Sequence, residues 1–129
     1  MLQDQEVTQP ATDLKWRTKQ FALCTIRACR DLTFSEESRI MVRQLLRAAT
    51  SIGANYRAAC RARSRAEFVA KLGIVLEEAD EAVFWLELLT ETAVGSRAKL
   101  ESLVKEADEL TSIFVTSLRT AKGVALKSG

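Results

Sequence analysis

The stretch Met41–Cys60, MVRQLLRAATSIGANYRAAC, decides the fold class. Its apolar residues recur at steps of three and four. Met41, Leu45, Ala48, Ile52, Tyr56 and Ala59 form one line, and Val42, Leu46, Ala49, Gly53 and Cys60 form its neighbour. A helix of 3.6 residues per turn puts both lines on one face, which is broader than a two-stranded coiled coil needs. Ala48, Ala49, Gly53 and Ala59 are small enough to let other helices approach closely. The arginines fall elsewhere. At about 100° per residue, Arg39 and Arg57 share one azimuth, Arg43 and Arg61 lie about 40° further round, and Arg47 extends the stripe. That stripe lies opposite the apolar lines.

The same periodicity extends in both directions. Upstream, Leu14, Phe21, Cys24 and Ala28 mark a first helix from Asp13 to about Asp31. Thr33-Phe34-Ser35-Glu36-Glu37 breaks the pattern and restarts it. Thr33 has capping-box spacing to Glu36, and Ser35 is an alternative N-cap followed by acids. The second helix runs from about Glu36 to Arg61. Continued further, it would turn Arg63 into the core, so a break falls near Ala62–Arg63. Ser64-Arg65-Ala66-Glu67 reads as a capping box. The third helix runs from Arg65 to about Thr92, with Phe68, Leu72, Val75, Leu76, Ala79, Val83 and Leu86 as its core line. Gly95-Ser96 ends one helix and caps the next. The fourth runs from Arg97 to about Ala121 through Leu100, Leu103, Val104, Ala107, Leu110, Phe114 and Leu118. Short connections make sequential helices antiparallel. The expected fold is therefore all-α, an up-down-up-down four-helix bundle over residues 12–121. A polar lead-in (1–11) and a short tail (122–129) flank it.

At 129 residues with 47% hydrophobic content, the chain suits one domain with a real core. One proline and five glycines are little punctuation for a β-rich domain. No apolar run is long enough to cross a bilayer, so no membrane role is expected. The N-terminus has no signal-peptide core. Three cysteines, Cys24, Cys29 and Cys60, then fit reduced, buried core residues in a cytoplasmic protein. No histidine is present. A Glu-x-x-His di-iron site and any histidine-based catalytic pair are thereby excluded. There is no Gly-rich phosphate loop and no EF-hand pattern. No catalytic residue, metal or cofactor is expected.

The charges are segregated. The net charge is only +2, which argues against a general polyanion binder. By segment, residues 36–65 net +5, residues 13–31 net +3 and residues 66–92 net −6. RAACRARSR (57–65) holds four arginines, and EEADE (77–81) holds four carboxylates. Two readings stay open. Arg39, Arg43, Arg47, Arg57, Arg61, Arg63 and Arg65 meet phosphates, with salt-sensitive and sequence-independent binding. Alternatively they pair with the acids of the third helix, within a bundle or between subunits. On that third helix Glu67, Glu77, Glu78 and Glu81 lie away from the core line, with Ile74, Trp85 and Leu88 among them. An isolated bundle would leave that tryptophan and its neighbours largely in water, the mark of a protein interface. Asn55, between the apolar and polar arcs, is expected to make a structural side-chain hydrogen bond.

From Arg43 to Leu89 the chain resembles a known family of four-helix bundles, first named from reading frames in intervening sequences of bacterial 23S ribosomal RNA genes. The resemblance rests on Gln44-Leu45-Leu46-Arg47-Ala48, Ser51-Ile52-Gly53-Ala54-Asn55, Arg65-Ala66-Glu67-Phe68, Glu78-Ala79-Asp80-Glu81 and Trp85-Leu86-Glu87-Leu88-Leu89. It extends more loosely from about Phe21 to Leu118. It implies the up-down-up-down bundle and a homopentameric ring. A related group, the accessory variability determinants of diversity-generating retroelements, implies partners of two kinds, RNA or DNA and a reverse transcriptase. In such a ring Ile74, Glu77, Glu78, Glu81, Trp85 and Leu88 would form the subunit interface. Members of the subgroup commonly have an acidic residue after Asn-Tyr-Arg, where this sequence has Ala58-Ala59. The stretch is more basic for it.

Overall fold

The computed structural model describes residues 13–92 and 96–123. The expected lead-in (1–11), Gly95 and the tail beyond Gly123 lie outside the described residues. Four helices follow one another: α1 (Leu14–Cys29), α2 (Glu36–Cys60), α3 (Arg65–Glu91) and α4 (Arg97–Lys122). Among the described residues there is no strand. Helix ends fall within one or two residues of the periodicity, the usual fraying margin.

Each helix starts on a side-chain oxygen that accepts an otherwise unpaired backbone N–H. Asp13 accepts from the amide of Trp16, Ser64 from Glu67 and Ser96 from Lys99. At α2 the cap is Ser35, not Thr33. Its reciprocal partner is Ser38, whose hydroxyl accepts from the Ser35 amide at 2.8 Å and donates to the Thr33 carbonyl at 3.0 Å. A fully buried serine thus takes the place of the usual glutamate. At α3 the Glu67 carboxylate overshoots the cap and accepts from the Arg63 amide at 2.9 Å. Helix α4 closes on Gly123 at φ 78°, a left-handed turn that glycine adopts without strain.

Among the described residues the helix backbones pack in cyclic order, α1 on α2, α2 on α3, α3 on α4 and α4 on α1, and across the diagonal Tyr56 of α2 meets Phe114 of α4 with ring centroids 5.9 Å apart. Ion pairs across the α1–α4 seam fix its antiparallel sense. Arg17, near the start of α1, holds Glu106 at 2.7 Å in the middle of α4, and also Glu109. Asp31, just past α1, meets Lys99 at the start of α4 at 2.7 Å. The centre is filled by Phe21, Leu45, Ile52, Leu72, Leu86, Leu110 and Phe114, all essentially free of solvent. Burying one such leucine or phenylalanine contributes about 1.5–3 kcal/mol.

Two expectations about the core are corrected. First, the buried line of α1 runs through Thr18 and Thr25, not through Cys24. Both threonines hide their hydroxyls by donating to the carbonyl one turn back, Thr18 to Leu14 at 2.6 Å and Thr25 to Phe21 at 2.8 Å. Only Cys29 of the three cysteines is buried. Cys24 is exposed on an open groove beside Arg27 and Lys99, and Cys60 is exposed at the last residue of α2. Burial pushes the Cys29 thiol up to about 11. Second, Trp85 is half-buried against the core, as is Leu88. The indole N–H donates to Glu81 at 3.3 Å, so the ring lies along the helix instead of projecting into water. Leu72, Val75, Ala79 and Leu86 of the expected core line are fully buried, Ala82 and Leu89 join them, and Phe68, Leu76 and Val83 only flank them.

Candidate nucleic-acid interface

Helix α2 runs from its Ser35 cap to Cys60 without interruption, so its 100° periodicity holds along the whole arginine stripe. Arg39, Arg43, Arg47, Arg57 and Arg61 are all exposed on it. Arg63 and Arg65 are exposed in and just after the turn that follows, where Arg61 leaves helical geometry and ends α2. The side chain of Arg63 is 91% exposed, consistent with a break that keeps it out of the core.

The stripe divides by what answers it. Arg47 leans over the α2–α3 seam and is held there. Its guanidinium meets Glu81 at 2.6 Å and Glu78 at 3.3 Å. Hydrogen bonding to Glu81 and then to Glu78 raises its pKa further above the usual arginine value. The Arg47 bond, together with the Trp85 N–H, holds the Glu81 carboxyl below its usual range. Arg63 reaches Glu67 only at 4.0 Å, at a distance that contributes little in water. Arg39, Arg43, Arg57, Arg61 and Arg65 make no ion pair with any described residue. The acids therefore engage one arginine firmly within the chain and leave five unanswered.

Asn55 donates its amide N–H to the Ser51 carbonyl at 2.9 Å, the structural hydrogen bond the sequence suggested. Of the apolar positions expected on the outer face of α3, Ile74 is exposed at 40%. The most exposed aromatic there is Phe84, at 51%, edge-on to Trp85 with ring centroids 5.0 Å apart. The sequence reading passed over Phe84. It also passed over Lys15 and Lys19, which line a cleft with Arg57 between α1 and α2. The +3 balance of the first helix is the sequence signal for them, and the fold decides which face carries it. Among the described residues no group of three metal-ligating side chains comes together, and no helix is long and apolar enough to cross a membrane.

A family model described as "23S rRNA-intervening sequence protein" matches residues 12–116. The chain belongs to this family. It is also similar to a solved protein of unknown function from the S23 ribosomal protein family of Bacteroides thetaiotaomicron. The two share 36% identity over 81% of this chain and 97% of the other, with a TM-score of 0.74. No curated protein matches. The 23S rRNA-intervening sequence proteins thus supply the four-helix fold, and neither match indicates an enzyme family.

Proposed function

We propose that this protein is a non-enzymatic, oligomeric binder of nucleic acid, RNA or a ribonucleoprotein, that grips the phosphate backbone through the arginine face of α2. The observation that supports this most is the uneven neutralisation of that face. EEADE engages Arg47, whereas Arg39, Arg43, Arg57, Arg61 and Arg65 stand exposed without an ion pair among the described residues. Guanidinium groups present planar, paired N–H donors that match phosphate oxygens. The residues include no recognisable base-reading arrangement, so binding follows backbone charge more than sequence. A cytoplasmic location fits this reading.

Self-association is the second part of the proposal. Ile74 and Phe84 expose apolar surface on α3, and the half-buried Trp85 and Leu88 adjoin it. A second copy covering this surface would remove it from water. The family resemblance implies five copies in a ring. In the competing version, unpaired arginines of one subunit meet Glu77 and its neighbours on the next.

One salt titration separates these readings. Labelled RNA and duplex DNA are titrated with protein across a salt series, and mass is measured by light scattering on the same samples. Phosphate binding predicts affinity that falls steeply with salt. It also predicts loss of binding in Arg43→Glu/Arg61→Glu with mass unchanged. A drop in mass in that variant means the arginines join subunits. A stable oligomer that binds nothing at low salt overturns the nucleic-acid reading.

A further inference from the structure

The basic surface does not stop at the edge of α2. Azimuths on that helix place Arg39 and Arg57 toward α1, Arg43 and Arg61 straight outward, and Arg47 toward α3. Across from Arg57, the first two turns of α1 carry Lys15 and Lys19, one helical turn apart and both exposed. The three cations line a cleft of about 260 Å³ between the helices. Its floor is built from small groups. Gly53 on α2 and Ala22 on α1 are partly buried there, with the exposed Ala54 at the rim, which leaves backbone rather than bulk at the bottom. Among the described residues no carboxylate lines it. The nearby threonine hydroxyls are committed as donors inside their own helices, Thr50 to Leu46 at 2.7 Å and Thr18 to Leu14 at 2.6 Å. The free donors of the cleft are therefore the two ammonium groups and one guanidinium.

Three cations lining one cleft without a counter-charge among the described residues, over a floor that admits close approach, suit a phosphodiester oxygen better than any neutral ligand. We propose that the α1–α2 cleft is a phosphate subsite, in which Lys15, Lys19 and Arg57 together seat one stretch of nucleic-acid backbone and carry the arginine face of α2 onto α1. This rests on the nucleic-acid reading above and gives it a path: the strand runs along the α1–α2 seam, not along α2 alone. Lys15 and Lys19 act here as point charges, and arginine is expected to replace them.

The test uses the full chain and a labelled single-stranded RNA, with affinity read by fluorescence anisotropy across a salt series. Lys15→Gln/Lys19→Gln is compared with wild type, with Arg43→Gln/Arg61→Gln, and with Arg97→Gln/Lys105→Gln. The last pair removes the same charge from exposed positions on α4, outside the α1–α2 cleft. Each phosphate contact contributes a slope of about 0.7 in log affinity against log salt for a single strand. Loss of two contacts should flatten the slope by about 1.4 and weaken binding by about 14-fold at 0.15 M salt, relative to a 1 M reference. Lys15→Arg/Lys19→Arg should bind like wild type, and the α4 pair should change little. Wild-type affinity in Lys15→Gln/Lys19→Gln, with Arg43→Gln/Arg61→Gln impaired, overturns the subsite and leaves the arginine face standing. Equal losses in the cleft and α4 variants overturn it in favour of a diffuse field. No binding by wild type at low salt overturns both readings together.

Discussion

Replacement of Gly53 by alanine tests how closely α1 and α2 meet, and so the width of the proposed phosphate cleft. Gly53 and Gly73 both sit inside long helices, where alanine is favoured over glycine by about 1 kcal/mol. A Cβ on Gly73 would meet nothing within 4 Å, so Gly73→Ala should gain that full amount. A Cβ on Gly53 would lie 3.2 Å from Thr18 Oγ1 and 3.5 Å from Thr18 Cβ. Thr18 has little freedom to give way. It is fully buried, and rotation of its side chain would break the 2.6 Å bond to the Leu14 carbonyl. Overpacking of this kind costs about 1–3 kcal/mol, which cancels or exceeds the helix-propensity gain. Gly53→Ala should therefore leave stability unchanged or lower it by up to about 2 kcal/mol.

The assay is urea unfolding at one protein concentration, for wild type, Gly73→Ala, Gly53→Ala, Thr18→Ala and Gly53→Ala/Thr18→Ala. Thr18→Ala removes the hydroxyl and leaves only ordinary contacts at 3.5 and 3.7 Å. In that background Gly53→Ala should recover its gain of about 1 kcal/mol, a coupling of about 1–3 kcal/mol between the two sites. Stabilisation by Gly53→Ala equal to that of Gly73→Ala, in the wild-type background, would refute the close approach of α1 to α2.

Three more expectations concern the alkaline stability set by Cys29 and Tyr56, the accessibility of the thiols, and Arg47. Burial raises Cys29 from 9.0 to about 11, so the folded chain holds its proton where the unfolded chain releases it; that contribution is complete below pH 9 and fades as pH rises through 11, by about 2–3 kcal/mol at most. Tyr56, pushed up to about 12 chiefly by burial, adds a loss of the same sign above pH 10; alkaline unfolding curves should show both, and Cys29→Ala should remove the earlier one. A disulfide reagent should label Cys24 and Cys60 rapidly and Cys29 only on unfolding. Arg47→Gln should weaken RNA binding less than Arg43→Gln in the anisotropy titration, because Arg47 must leave Glu78 and Glu81 before it can meet a phosphate. Equal losses would mean that the pairing does not restrain it.

The helices were legible because their signals were redundant: apolar steps of three and four, serine caps and a short glycine- and serine-bearing junction all pointed the same way. Ser64 before Glu67 located the α2–α3 break correctly because a cap acts through neighbours in sequence. The errors came where side-chain type and tertiary placement part company. Thr18 and Thr25 read as polar, yet each satisfies its hydroxyl within its own helix and packs as a small apolar group. Cys24 reads as apolar, yet it faces a loosely filled groove between α1 and α4. Trp85 lies on the α3 edge toward α2, and only the presence of α2 decides how much of it stays wet. Arg47 is similar: its azimuth was visible, but its partners depended on which level of α3 lay beside it.

That level explains why RAACRARSR is not answered by EEADE. The two segments are neighbours in sequence, but α2 and α3 run antiparallel from a turn near residues 62–63. Two residues face each other only when they lie equally far from that turn. Arg57, Arg61, Arg63 and Arg65 sit within about one and a half turns of it. EEADE begins about fifteen residues away, or about 22 Å along the axis at 1.5 Å per residue. Its natural partner is Arg47, at nearly the same distance on the other strand of the hairpin, and that is the pair the structure forms. The turn end of the bundle keeps its positive charge. Topology adds to it, because α1 begins at this end with Lys15 and Lys19, and α4 finishes there with Arg119 and Lys122. Firm neutralisation midway along the α2–α3 seam, against only the 4.0 Å Arg63–Glu67 pair at the turn end, gives the described residues a charge gradient along the axis. A backbone of phosphates would be drawn to that end first, and the α1–α2 cleft opens beside it.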